Sequence, residues 1–265
     1  MERPATRVDA LSVVLPAYNE EPNIRAVVED ALAALPKVST EFEVIIVDDG
    51  STDTTIQVAE ELIREYSPQV RLLRHRVHSG YGAAIRTGLQ HAKYELAFYT
   101  DADRQFDLSE LTYFVPFIQA YDLVIGFRVY RYDTVLRSII SWCYNRLVGV
   151  MFRVHVRDVD CAYKLMRREV LDKLTLESTD FFIDTEIVAR ARKWNFRIAQ
   201  KGVRHYPRPA GETTVRPSDI PRTVHTIVRM WRRIYFPTRE HRKEAEGRQT
   251  EVVAREVFPS RSEEV

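Results

Sequence analysis

At 265 residues, with 45% hydrophobic and 29% charged residues, the chain is long enough to bury a substantial core and has the charge content of a soluble protein. A formal net charge of +1 gives no bulk electrostatic reason to expect a nucleic-acid partner. Two cysteines, Cys143 and Cys161, in neither a CxxC pair nor a metal-ligand spacing, argue against a disulfide scaffold and suit a reducing cytosol.

The N-terminal stretch MERPATRVDA lacks the apolar core of a signal peptide, and no apolar run approaches the ~20 residues that cross a bilayer. A soluble protein, or one lying on a membrane surface, is expected. From residue 11, LSVVLPAYNEE reads as a strand ending at Pro16 and a polar loop. NIRAVVEDALAAL then places Ile24, Val27, Val28, Ala31, Leu32 and Leu35 on one helical face. FEVIIVDDGSTDTT is a second, near-continuous apolar strand ending in Asp48 and Asp49, and TIQVAEELIREY a second amphipathic helix. VRLLRH, GAAIRTGLQHA and ELAFYTDAD supply a third strand, a third helix and a fourth strand. Such alternation predicts a parallel sheet with crossover helices.

Ligands of open parallel sheets bind beyond the carboxyl ends of the strands. Glu20, Asp48, Asp49, Asp101 and Asp103 all follow such ends. In TDADRQFD, two aspartates at alternate positions, with the Gln105 carbonyl two residues on, can reach one hard cation from the same side. Mg²⁺ or Mn²⁺ fits such oxygen ligands. A sparse protein shell leaves positions for substrate phosphates and so points to a diphosphate-bearing substrate. Gly80 and Gly82 in SGYGAAIRTG let the backbone pass close to a ligand, or only mark a turn.

The ordered blocks VVLPAYNEE, VDDGSTD, SGYGAAIRTG and TDADRQFD resemble the nucleotide-sugar half of a family 2, inverting glycosyltransferase of the GT-A fold, an α/β/α sandwich on a mainly parallel sheet. Later blocks, VIGFR, RDVDCAYKLMRREVL, FFIDTEIVARARKWNFRI and HYPRPAGETT, resemble the polyprenyl-phosphate glycosyltransferases, including the dolichyl-phosphate mannose and glucose synthases. Similarity runs from about Leu11 to about Thr214. The resemblance implies that Pro16, Tyr18 and Glu20 line the base and ribose site and that Asp48 and Asp49 hold the nucleoside. It also implies that the Asp101-Ala102-Asp103 motif and Gln105 bind the metal and, through it, the diphosphate. Either GDP-mannose or UDP-glucose is expected as the donor.

Arg128 ends the strand DLVIGFR, and Arg137 and Ser141, four apart in RSIIS, share a helix face. Two guanidiniums and a hydroxyl can clamp a phosphate monoester, and the resemblance implies that role toward a polyprenyl phosphate. A lipid phosphate is already anionic and needs little help from a base. Catalysis by Asp103, Arg128, Arg137 and Ser141 would then be positioning and charge management. Asp184 and Glu186 in FFIDTEIV stand where many family 2 enzymes carry an acceptor-side acid, and either acts as a base or orients sugar hydroxyls. Asp158 and Asp160 in RDVDC are further acidic candidates.

The expected division is an N-terminal tail 1–9, a catalytic domain 10–215 with its nucleotide-sugar half 10–105 and acceptor half 106–215, a helix 216–237 and a charged, mobile tail 238–265. His205 and Arg208 would close over the diphosphate. In IPRTVHTIVRMWRRIYF, Val224, Ile227, Val228, Trp231, Ile234 and Tyr235 form an apolar face flanked by arginines, which suits an interfacial membrane helix or a helix packed on the catalytic domain. A cytoplasmic enzyme, peripheral at the membrane or held by a membrane-anchored partner, is the expectation. Two alternatives are a transferase acting on a soluble or carbohydrate hydroxyl, and a non-catalytic nucleotide-sugar-binding subunit.

Overall fold

The computed structural model describes residues 7–129, 135–207 and 220–237, apart from the side chains of 135–138 and 220–222. The expected alternation is present as β1 (Val8–Ala17), α1 (Glu21–Ala34), β2 (Ser39–Asp48), α2 (Thr55–Tyr66), β3 (Val70–Arg74), α3 (Tyr81–His91) and β4 (Leu96–Thr100). The chain continues with β5 (Leu123–Arg128), α4 (Val135–Phe152), β6 (Tyr163–Arg167), α5 (Arg168–Lys173), α6 (Ile183–Lys193), β7 (Ile198–Val203) and α7 (Ile220–Tyr235).

Seven strands form one sheet in the order β3-β2-β1-β4-β6-β5-β7. All neighbours are parallel except β6, which runs antiparallel to both β4 and β5. Leu11 and Val13–Leu15 of β1 and Val44–Val47 of β2 are fully buried, as expected of central strands covered on both faces. On the α1 side the cover is Ile24, Val27, Val28 and Ala31, the face its periodicity predicts. α3 comes close enough to the sheet that a Cβ on Gly88 would stand 2.2 Å from Val14 Cγ1, so glycine there sets the helix–sheet distance.

Register brings the functional residues to one edge. Ala17 at the end of β1 lies opposite Asp48 at the end of β2, and β4 ends at Thr100 on the same side. Because β6 is antiparallel, its first residue, Tyr163, pairs with Thr100. The segment 158–162 therefore arrives where the parallel strands leave.

Most of the apolar face of α7 is packed on protein, while Val224 and Val228 stay exposed. Ile227, Met230 and Ile234 are buried, Trp231 and Tyr235 pack against the core, and Tyr235 Oη donates to the Phe152 carbonyl at 2.9 Å. Arg233 pairs with Glu177 at 2.9 Å, and Lys193 donates to the Ile234 carbonyl. A stripe of period 3.6 reports an amphipathic helix, not what covers it, and here protein covers most of it. Residues 208–219, with Arg208, and 238–265 lie outside the described residues. Among the described residues no helix is long and apolar enough to cross a membrane.

Candidate active site

Asp48, the last residue of β2, is fully buried, and its Oδ2 has no hydrogen-bond partner, with only the Arg74 Nε at 3.8 Å. Its Oδ1 accepts from the Ser51 amide at 3.3 Å. A buried carboxylate oxygen lacking a donor at the ligand edge of a parallel sheet is a docking point for an N–H or O–H of a ligand.

Asp49 does different work. Its Oδ1 accepts from the Ser79 amide at 2.9 Å and faces His75 Nδ1 at 2.6 Å; its Oδ2 accepts from the Gly80 amide at 2.8 Å and faces His78 Nδ1 at 2.8 Å. Burial alone would raise this carboxyl, but the bonds from His75, Ser79 and Gly80 hold it below the ordinary carboxylate value. Asp49 therefore ties the loop before α3 to the end of β2. Half-exposed Tyr18 lies over His78, ring centroids 4.1 Å apart, and Pro16 is buried in β1. Glu20 accepts from the Asn23 amide group at 2.7 Å and is nearly buried. Asn19, absent from the sequence reading, sits at φ 54° and receives the Thr52 amide at 2.8 Å, joining the loops after β1 and β2. The available signal was an asparagine, a residue that tolerates left-handed backbone, in the polar loop directly after a strand.

Gly80 adopts φ +102°, and a Cβ there would stand 2.2 Å from the Thr179 carbonyl oxygen. At Gly82 the corresponding atoms are the Ser178 and Asp180 carbonyl oxygens, both at 2.7 Å. The close approach these glycines permit is thus to the backbone of 178–180.

In the DxD segment, Asp101 Oδ1 accepts from Tyr81 Oη at 2.7 Å, and Asp103 Oδ1 accepts from the Gln105 amide at 3.1 Å. Ala102 is buried between them. Gln105 Nε2 donates to the Tyr206 carbonyl at 2.9 Å, and Phe106 pairs with His205, rings 4.9 Å apart. His205 is therefore placed beside the DxD loop. Burial first, and then the neighbouring charge of Asp103, raise the Asp101 carboxyl to about 8. Two acids that repel each other in a desolvated strand end, both with oxygen donors only, fit a divalent cation, which would relieve that repulsion. Among the described residues no cluster of three or more His, Cys, Asp or Glu is placed to hold a metal.

On the acceptor side the acids are largely committed. Arg128 makes a bidentate pair with Asp158, Nε–Oδ2 2.7 Å and Nη2–Oδ1 2.8 Å; burial would lower its pKa, and Asp158 holds it above the ordinary value. Asp184 is buried, and its Oδ1 accepts from Tyr99 Oη at 2.6 Å and from the ammonium of Lys164. Lys164, fully buried, also donates to the Cys161 carbonyl at 2.7 Å. Glu186 is fully buried. It accepts from the Glu177 and Ser178 amides at 3.0 and 2.8 Å and from Arg190 Nε at 2.6 Å, fixing the 177–178 turn. Asp160 accepts from Thr185 Oγ1 at 3.2 Å, next to Tyr144 Oη, which lies 2.7 Å from the same hydroxyl. Burial, then the charges of Asp184 and Asp158, raise Asp160 to about 7. Ser141 is half-buried on α4, and its carbonyl accepts from Asn145 at 2.9 Å. Arg137 lies one turn before it, its side chain outside the described residues.

The model of the family described as Glycosyl transferase family 2 matches residues 12–175. A dodecaprenyl-phosphate galacturonate synthase of Rhizobium johnstonii is 30% identical over 229 residues, 85% of this chain and 67% of that protein. A dolichyl-phosphate beta-glucosyltransferase of Dictyostelium discoideum is 30% identical over 213 residues, 73% of this chain and 65% of that protein. The chain thus matches about two thirds of the length of these relatives. Among solved structures, glucosyl-3-phosphoglycerate synthase from Mycobacterium tuberculosis superimposes with a TM-score of 0.65 at 18% identity, covering 87% of this chain and 82% of that one, which establishes the same GT-A fold. That synthase has also been crystallised with Mn²⁺ and uridine-diphosphate. With the motif blocks and the acidic strand ends in the expected order, the chain belongs to glycosyl transferase family 2.

Proposed function

We propose that this protein transfers a hexose, with inversion, from a nucleoside diphosphate sugar to a polyprenyl phosphate at the cytoplasmic membrane face. GDP-mannose and UDP-glucose are the donors to try first. The relatives' names share a polyprenyl-phosphate component and differ in the sugar, galacturonate in one and glucose in the other, so the lipid phosphate is the part of the reading they support.

The observation that carries the proposal is the state of the acceptor-side acids. Asp184 is ion-paired with Lys164 and hydrogen-bonded by Tyr99, and Glu186 is spent on the 177–178 turn and Arg190. Neither is set to take a proton from a sugar hydroxyl. An acceptor that is already anionic needs no such group.

In this reading Asp48 takes a nucleoside N–H or O–H on Oδ2, Tyr18 covers the base, and Asp49 keeps the loop before α3 in place for both. Asp101 and Asp103, with Gln105 beside them, would hold Mg²⁺ or Mn²⁺, which supplies charge neutralisation for the departing diphosphate. Tyr81 orients Asp101. Arg128, itself oriented by Asp158, joins Arg137 and Ser141 in aiming a phosphate oxygen at the anomeric carbon from the face opposite the leaving group. His205 and Arg208 are assigned to the diphosphate.

Asp160 favours a second reading. A shielded carboxyl raised to about 7 has the pKa of a general base, as transfer to a hydroxyl acceptor requires. Polyprenyl phosphate and the corresponding polyprenol separate the two. The first reading expects transfer to the phosphate alone and its survival in Asp160→Asn. Transfer to the alcohol, abolished by that substitution, supports the second.

A further inference from the structure

The outward side of α4 is apolar. Ile139 is 54% exposed, Trp142 68% and Val150 65%, with Cys143, Arg146 and Leu147 exposed among them. These positions recur at helical spacing and form one stripe. The opposite side of the helix is anchored: Val148 and Phe152 are buried, Tyr144 Oη lies 2.7 Å from Thr185 Oγ1, and Asn145 Oδ1 accepts from the Val159 amide at 2.9 Å. Rolling the helix to hide the stripe would break those contacts.

The two helices at the stripe bring only positive side chains of their own. α4 packs on α7, with the Phe152 and Tyr235 rings 6.4 Å apart, and the two helices carry Arg137, Arg146, Arg222, Arg229 and Arg232, besides Arg233 paired with Glu177, but no aspartate or glutamate. For a chain of net charge +1, this is a strong local segregation. An exposed tryptophan and aliphatic residues on an acid-free, arginine-bearing helix match a surface that is apolar at depth and anionic at its boundary. A symmetric second copy would set arginines against arginines.

We infer that the outward face of α4 docks on an anionic lipid bilayer, with Trp142 as the interfacial anchor and the neighbouring arginines meeting lipid phosphates. The inference deepens the polyprenyl-phosphate reading and rests on it. α4 also carries Arg137 and Ser141, so seating this face on a bilayer brings the acceptor clamp to headgroup level.

Cys143 lies within the stripe and is exposed, whereas Cys161 is buried, so a thiol-reactive, polarity-sensitive fluorophore reports on this face in the native chain. With phosphatidylglycerol vesicles the probe should shift to the blue and be shielded from aqueous iodide. Both effects should weaken in phosphatidylcholine and as salt rises from roughly 0.05 to 0.5 M. In co-sedimentation of unlabelled protein, Trp142→Glu and, separately, Val150→Glu should lower the vesicle-bound fraction by about tenfold with unchanged thermal melts. Transfer to a short-chain, water-soluble polyprenyl phosphate should persist in both variants. A probe already shielded without vesicles, or shielded only as protein concentration rises, overturns the proposal in favour of another part of the chain or a second copy. Unaltered vesicle binding by both variants also overturns it. If the wild type binds vesicles through this face but transfers sugar to no lipid phosphate, long or short, docking stands and the acceptor reading falls.

Discussion

Tyr81 Oη donates to Asp101 Oδ1 at 2.7 Å, and the Tyr81 ring stacks on Phe181, centroids 5.1 Å apart. The first residue of α3 thus joins the first acid of the DxD motif to the loop that leads into α6. A carboxylate held by a neighbouring hydroxyl loses fewer rotamers when it binds a cation. Tyr81→Phe should therefore raise the Mn²⁺ concentration needed for half-maximal thermal stabilisation in the presence of nucleoside diphosphate by on the order of tenfold. An unchanged metal titration would reduce Tyr81 to a packing residue.

Asp49 gathers four donors from one loop, and replacing it leaves the Ser79 and Gly80 amides without their acceptor. Asp49→Ala should cost about 3 kcal/mol in denaturant unfolding, more than removal of a surface acid. Hydrogen exchange should speed up at the Ser79 and Gly80 amides in particular. Equal exchange in both proteins would contradict the tethering role.

Asp160 supplies a pH test. Its carboxyl is raised to about 7 in the fold, against 3.8 for an unperturbed aspartate. Between those values the folded chain keeps a proton that the unfolded chain has released, so stability falls as pH rises through this window and reaches its floor above the folded pKa. Asp160→Asn should erase this slope. The variant's Tm should exceed that of the wild type at about pH 8, and the difference should shrink toward about pH 5. Parallel Tm curves for the two proteins would show that Asp160 is not shielded as described.

The nucleotide-sugar half was largely legible in the sequence, because a central parallel strand is a continuous apolar run and its end is where the run meets aspartate. VIIVDD and LAFYTDAD show both. The antiparallel strand β6 was not legible. Lys164 in YKLMR reads as a solvent-facing residue, and only the fold brings Asp184 and Tyr99 to its neighbourhood. The same long-range pairing hid the commitment of Asp184, and that of Glu186 came from amides 8 and 9 residues away and an arginine one turn on. α7 was legible as amphipathic, but periodicity left open whether membrane or protein covers it: most of its face lies on protein, with Val224 and Val228 exposed, and a longer exposed apolar stripe belongs to α4.

The most direct test of the central claim is the partition of product from a radiolabelled donor. Membranes or vesicles containing polyprenyl phosphate would be incubated with the protein, Mn²⁺ and labelled GDP-mannose or UDP-glucose, and then extracted with butanol. The account predicts label in the butanol phase with at least one donor of this class, lost in Asp103→Asn and in chelator. Label appearing only in water-soluble product, or butanol-phase label undiminished in Asp103→Asn, would contradict it.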